Sequence, residues 1–215
     1  DLEIEAIARA GEIIGRLFER IPGKIHAGVS TGDLDEYVES FIREHPGAEP
    51  AFKGLYGFPA SACISVNDEV VHGIPKPRRV LEEGDIVSID VGVRLDGWYA
   101  DSARTFPVGQ IDDESQRLLD VTRQALDAGI AQAAPGNFLG DIGHAIQTVA
   151  EAAGYGVVRD LVGHGIGREM HEDPQVPNVG QPGKGLKLRA GLVLAIEPMI
   201  NAGGPEVRTL ADRWT

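Results

Sequence analysis

A chain of 215 residues is long enough to bury one substantial core, and its 42% hydrophobic and 25% charged residues are ordinary for a soluble globular protein. With 20 basic against 33 acidic residues the formal charge is −13, which argues against a nucleic-acid surface built on a basic stripe. No apolar run approaches the ~18 residues of a membrane span, and the acidic start Asp1-Leu-Glu-Ile-Glu is unlike the basic start of a signal peptide.

In chain order, residues 2–21 carry apolar side chains near the 3.6-residue period and predict a helix stopped by Pro22-Gly23. Residues 31–43 predict a second helix, with Thr31 as N-cap and Leu34, Val38, Phe41 and Ile42 as its buried stripe. After Pro46-Gly47, a Gly- and Pro-spaced segment leads to strands at 62–66 and 86–91. Cys63, the single cysteine, excludes an intramolecular disulfide and a cysteine-based metal knot, and a reducing cytoplasm suits it best. Two further amphipathic helices are predicted over 113–134 and 138–153, split by Pro135-Gly136, and then strands at 155–161, 192–196 and 207–215. Helix, helix, strands thus occurs twice, which suggests two related α+β halves.

Asp96-Gly97 between apolar runs is a strong signal for a two-residue hairpin turn. With that turn, Asp90 faces Ala103, and Asp101, two positions from Ala103, projects from the same face as Asp90. Such diagonal neighbours stand roughly 7–8 Å apart at the backbone, within reach of a shared metal pair. Asp90 also interrupts the apolar run Ile86, Val87, Ile89, Val91, where an isolated charge is costly. Taken singly, Asp90 reads as a solvated strand-end residue and Asp101 as a solvated turn residue, and it is their shared face with the His and Glu motifs downstream that reverses this.

Gly163-His164-Gly165-Ile166-Gly167 sets an imidazole among glycines that let the backbone pass close to a bound group. His171-Glu172-Asp173-Pro174 is not a helical HExxH motif, because Gln175 stands where the second histidine would be. His164 is therefore the candidate ligand, and His171 a candidate acid–base or substrate-binding group. His72 precedes a turn in Val70-Val71-His72-Gly73-Ile74-Pro75. Glu197 ends the apolar stretch 191–196 before Pro198, either as an exposed strand end or as a ligand. Asp90, Asp101, His164 and Glu197 form a hard, thiolate-free donor set suited to manganese, iron, cobalt or zinc in a hydrolytic site.

The ordered segments Cys63-Ile-Ser-Val-Asn-Asp-Glu-Val-Val-His-Gly-Ile-Pro75, Gly84-Asp-Ile-Val-Ser-Ile-Asp-Val91, Asp96-Gly-Trp-Tyr-Ala-Asp101, Gly163-His-Gly-Ile-Gly167 with His171-Glu172, and Glu197-Pro198 resemble the type I methionine aminopeptidases. The resemblance spans nearly the whole chain. It implies the α+β pita-bread (creatinase/aminopeptidase) fold, a single metallopeptidase domain with two pseudo-two-fold-related halves around two divalent metal ions (cobalt, manganese, iron or zinc). It implies removal of the initiator methionine from peptides and nascent chains. The charge, the lack of long apolar runs and the single cysteine point to a cytoplasmic enzyme with no nucleic-acid or membrane partner, and a monomer is expected. Carried over by position, Asp90, Asp101, His164 and Glu197 would ligate metal, with Glu197 also the base for the attacking water. His72 and His171 would contact the scissile peptide, and Cys63, Phe58, Met170 and Trp214 would line the methionine pocket.

Two positions depart from the family pattern. Met170 stands where an aromatic residue usually precedes the histidine, which keeps the pocket apolar but alters its shape. The family's last metal-binding glutamate follows the Arg-Trp-Thr segment at which this sequence stops, so the expectation is a domain lacking its C-terminal strand. The competing readings are a proline-specific peptidase of the same fold, which normally carries an extra N-terminal domain, and a non-catalytic binding module with a degraded metal site.

Overall fold

The structure, a computed structural model, describes residues 2–215. They fall into two compact units, one of residues up to Asp112 with Gly167–Met170 and Thr209–Thr215, the other of Asp113–Ile166 and His171–Arg208.

The first unit opens with helix α1, Leu2–Arg20, whose Ala10, Ile13, Ile14, Leu17 and Phe18 are buried on one stripe. Glu3 and Glu5 in its first turn and Arg20 in its last complement the helix dipole. Helix α2 spans Thr31–Arg43 as the periodicity predicts, but its N-cap is Ser30 and not Thr31. Ser30 Oγ accepts from Asp33 N at 3.0 Å, and the Asp33 carboxylate accepts from Ser30 N at 3.1 Å. Thr31 instead takes the first helical position, its hydroxyl accepting from Lys76 N at 2.9 Å. A short side chain one residue earlier satisfied the orphan donors better, and two adjacent hydroxyl residues hid that choice from the sequence.

Strands β1 (Ala48–Pro50), β2 (Ala62–Val66), β3 (Ile86–Leu95) and β4 (Trp98–Pro107) form an antiparallel sheet. β3 pairs with β1 and β2 along one edge and with β4 along the other. Strand β3 runs past the predicted residue 91 because the hairpin ladder continues to Leu95↔Trp98. Asp96 (φ 52°) and Gly97 (φ 81°) are both left-handed, as a type I′ turn requires. The resulting register is the expected one, with Asp90↔Ala103 and Gly92↔Asp101. Strand alternation then gives the sheet two different faces. Val87, Ile89, Val91 and Val93 are fully buried with Ala62, Ile64 and Val66 in the core formed with α1 and α2. Cys63, Ser65, Ser88, Asp90, Asp101 and Thr105 belong to the opposite face.

The second unit is built on α3 (Asp113–Gln132) and α4 (Leu139–Ala152), with Ala125, Ile142 and Ile146 buried together beside Val176 and Leu188. Its strands are short. β5 (Gly156–Val157) pairs with β9 (Ile200–Asn201), and β6 (Gly163–Gly165) lies between β7 (Glu172–Val176) and β8 (Leu194–Ala195). The predicted strands over 155–161 and 192–196 therefore shrink to two-residue ladders. The strand predicted over 207–215 is not formed: the Asp212 carboxylate accepts from Trp214 N at 3.0 Å and Thr215 N at 2.9 Å. Leu210 N also bonds Thr215 O at 2.7 Å, closing a loop. A side chain that captures its neighbours' backbone donors competes directly with a strand ladder.

Candidate metal centre and substrate pocket

The hairpin supplies Asp90 and Asp101 from one face, half-buried and diagonal to each other across the β3–β4 ladder. Cys63 pairs with Asp90 from the other side of β3 and is buried. Burial, and after it the negative charges of Asp90, Asp101 and Asp35, drives the Cys63 thiol far above its ordinary range. It is therefore a neutral, weakly nucleophilic thiol rather than a catalytic thiolate.

The same unit holds an aromatic cluster. The buried Phe58 meets Trp214 edge-on, with ring centroids 5.1 Å apart, and Trp214 stands edge-on to His72 at 6.3 Å. The loop that closes on Asp212 is what presents Trp214. His72 has a left-handed backbone (φ 58°), and Gly73 next to it is clamped to β2, its N–H donating to Ser65 Oγ at 3.0 Å. Desolvation lowers the His72 pKa, so its ring is held neutral. Met170 is buried over Gly92: a Cβ at residue 92 would lie 2.9 Å from Met170 Cε and 2.7 Å from Phe52 Cε1. Apolar rings, a thioether and a neutral thiol are chemistry suited to an unbranched apolar side chain.

In the second unit, His164 is the middle residue of β6 and is buried. Its neighbouring glycines are sterically obligatory: a Cβ at Gly163 would fall on Ala195 O, and one at Gly165 on Asp173 O. His164 Nδ1 lies 2.8 Å from Gly165 O, which can only accept, so Nδ1 carries the proton. In the neutral ring Nε2 then presents a lone pair to Glu197 Oε1 at 3.3 Å. Two lone-pair-bearing atoms facing each other are satisfied by a proton or by a cation held by both, and a backbone carbonyl fixing the far ring nitrogen is typical of metal-binding histidines. The donor pair thus fits a divalent metal. His171 stacks edge-on against His164 with centroids 4.4 Å apart and is exposed.

Three polar residues near these groups escaped the sequence reading. Asp35 accepts from Ser61 N at 2.9 Å and Ala62 N at 2.8 Å, bracing the start of the strand that carries Cys63. Glu39 takes hydrogen bonds from Lys53 and Ser61 in the loop that carries Phe58. Asn178 donates to the backbone carbonyl of Glu197. Each is an ordinary polar residue in sequence, and no motif marks it.

Carboxylate and imidazole donors carried on strands, with no thiolate knot, are the ligand chemistry of metal-dependent hydrolases. The chain belongs to that class, for residues 5–210 match the model of metallopeptidase family M24. Within the family its likeness is to the methionine aminopeptidases. The one from Clostridium acetobutylicum is 52% identical over 215 residues, covering 100% of this chain and 86% of that protein. The crystal structure of methionine aminopeptidase from Thermotoga maritima superposes with a TM-score of 0.96 at 44% identity, covering 99% of this chain and 85% of that one. The prolidase from Pyrococcus horikoshii OT3 follows at a TM-score of 0.80 and 26% identity, covering 92% of this chain and 54% of that one. The fold is the expected pita-bread fold of mixed helices and strands.

Proposed function

We propose that this chain is a metal-dependent exopeptidase that removes the N-terminal methionine from peptides and nascent chains. The observation that carries the reading is His164, its Nδ1 committed to Gly165 O and its Nε2 turned to Glu197 at 3.3 Å. Likeness over the full length to methionine aminopeptidases, stronger than that to the prolidase, favours methionine over proline specificity. The single-domain enzyme uses Asp90, Asp101, His164 and Glu197 as ligands for two divalent ions of the cobalt, manganese, iron or zinc group.

A bound divalent ion of this kind polarises a carbonyl and makes a coordinated water acidic enough to attack near neutral pH. The protein's own groups do the rest. The Glu197 carboxylate takes the water's proton. His72 and His171 offer ring N–H groups to the scissile carbonyl and the departing nitrogen, steadying charge as the carbon becomes tetrahedral. Phe58, Cys63, Met170 and Trp214 enclose the methionine side chain and exclude water from it. No helix among the described residues is long and apolar enough to cross a membrane.

Metal-loaded protein incubated with Met-Gly and Met-Ala peptides is expected to release methionine, with Leu- and Pro-initiated controls left intact. Equal or faster cleavage at a Xaa-Pro bond would move the assignment to the proline-specific relatives. No cleavage with any metal would leave only a binding role.

A further inference from the structure

We propose that Asn178 is a positioning residue that aims the Glu197 carboxylate, and with it sets the affinity of the metal centre. The inference rests on the reading of Glu197 as a metal ligand.

Glu197 lies in a four-residue gap, Ile196 to Met199, between the ends of β8 and β9, so no strand ladder fixes its backbone. Pro198, next in the chain, has no N–H to donate. Asn178 fills that role from the side: Nδ2 donates to the Glu197 carbonyl at 2.7 Å. A carbonyl only accepts, so the amide must present its nitrogen there, and the orientation follows from chemistry.

Asn178 is itself held firmly. It is 1% exposed, and the segment around it lies directly against α4. A Cβ on Gly143 of that helix would stand 2.5 Å from Val179 O and 2.7 Å from Pro177 O, so the helix backbone and the turn touch. A packed helix therefore fixes the turn, the turn fixes the amide, and the amide fixes the carbonyl of the ligand residue.

The other end of the amide shows that packing alone does not account for this residue. Among the described residues, Asn178 Oδ1 is buried and meets no hydrogen-bond donor. An orphaned acceptor is a standing cost that an apolar residue of similar volume would avoid. What the asparagine provides in return is the donor to Glu197. Partners behind metal ligands of this kind typically change metal affinity 10–100-fold when removed.

The test is calorimetric titration of the apoprotein with manganese, alongside its melting temperature, for the parent, Asn178→Leu, Asn178→Asp, Glu197→Gln and Ile146→Val. Asn178→Leu is expected to weaken manganese binding roughly 10–100-fold while melting close to the parent, because relief of the orphaned oxygen offsets the hydrogen bond lost at the Glu197 carbonyl. Asn178→Asp, the same shape without the amide donor, reads the same constant if the leucine variant melts early. Ile146→Val loosens the core of the same unit and is expected to lower the melting temperature with unchanged metal affinity. Parent-like manganese binding in both Asn178 variants, with binding weakened in Glu197→Gln, would overturn the proposal and leave the ligand assignment standing. Parent-like binding in Glu197→Gln would overturn the ligand assignment and this inference with it.

Discussion

Glu39 on α2 accepts a hydrogen bond from Lys53 at 2.6 Å, and this ion pair ties the helix to the loop that delivers Phe52 and Phe58. The same carboxylate takes Arg43 Nε at 2.9 Å and Ser61 Oγ at 2.9 Å, so one side chain gathers the helix and both ends of the loop.

These bonds, Lys53 first, pull the Glu39 pKa from its ordinary 4.5 to about 2. A depressed carboxylate stabilises the fold at every pH above its unfolded value and loses that contribution as pH falls toward its folded one. Asp35, its neighbour on α2, has the opposite sign: burial raises its pKa, so its charge weighs against the fold as pH rises. Glu39→Gln is expected to destabilise the protein by roughly 1–2 kcal/mol near neutrality, since the partners are part-exposed. The gap to the parent should narrow steadily from about pH 5 to about pH 3, followed by urea unfolding across that range. A gap independent of pH would show that the glutamate matters for packing and not for charge.

Gly92 has a sharper role than the turn glycines, because Met170 and Phe52 occupy the space where its side chain would stand. Gly92→Ala must displace one of them. Overpacking of this kind costs about 1–3 kcal/mol, and Met170, one of the two groups in the way, belongs to the proposed methionine pocket. KM for methionyl peptides is expected to rise more than kcat falls, and the Met-to-norleucine ratio to change. Unchanged KM would place Met170 outside the pocket.

His164 and His171 stand 4.4 Å apart by ring centroid, yet the proposed chemistry gives them different work. His164→Ala is expected to lower bound metal, measured by elemental analysis after dialysis. His171→Ala and His72→Ala are expected to keep most of it while turnover falls roughly 10²–10⁴-fold. If His171→Ala strips the metal and His164→Ala does not, the two roles are exchanged.

How far these residues were legible in the sequence depends on how local their determinants are. The four helices announced themselves by period and by Pro-Gly breaks, and Asp96-Gly97 was sufficient for the register that puts Asp90 and Asp101 on one face. The ladders of β5, β8 and β9, two residues each, carry no period to read, because distant pairing alone defines them. Asn178 reaches Glu197 across 19 residues of chain, and Asp35 reaches Ser61 across 26. Such contacts depend on the finished fold. The left-handed backbone of Tyr56 was equally hidden, since a bulky aromatic residue rarely enters that region.

The Asp212 loop stands where the sequence pattern predicts a strand. Asp212 accepts from Trp214 N, Thr215 N and the Thr215 hydroxyl, the last at 2.8 Å, and these bonds hold its pKa at about 2. It is also 3.7 Å from Lys76. Trp214 in turn packs on Phe58 and His72. Removing the carboxylate frees the backbone donors, and the indole loses its anchor without any pocket residue being changed. Asp212→Ala is therefore expected to raise KM for methionyl peptides roughly fivefold, about the worth of one hydrogen bond, with kcat little altered. Asp212→Asn keeps one acceptor oxygen in place and should recover part of the loss. Indole fluorescence reports the same event independently, moving to longer wavelength as Trp214 becomes more exposed. A variant with parent-like KM and an unshifted spectrum would show that Phe58 and His72 hold the indole without help from the loop.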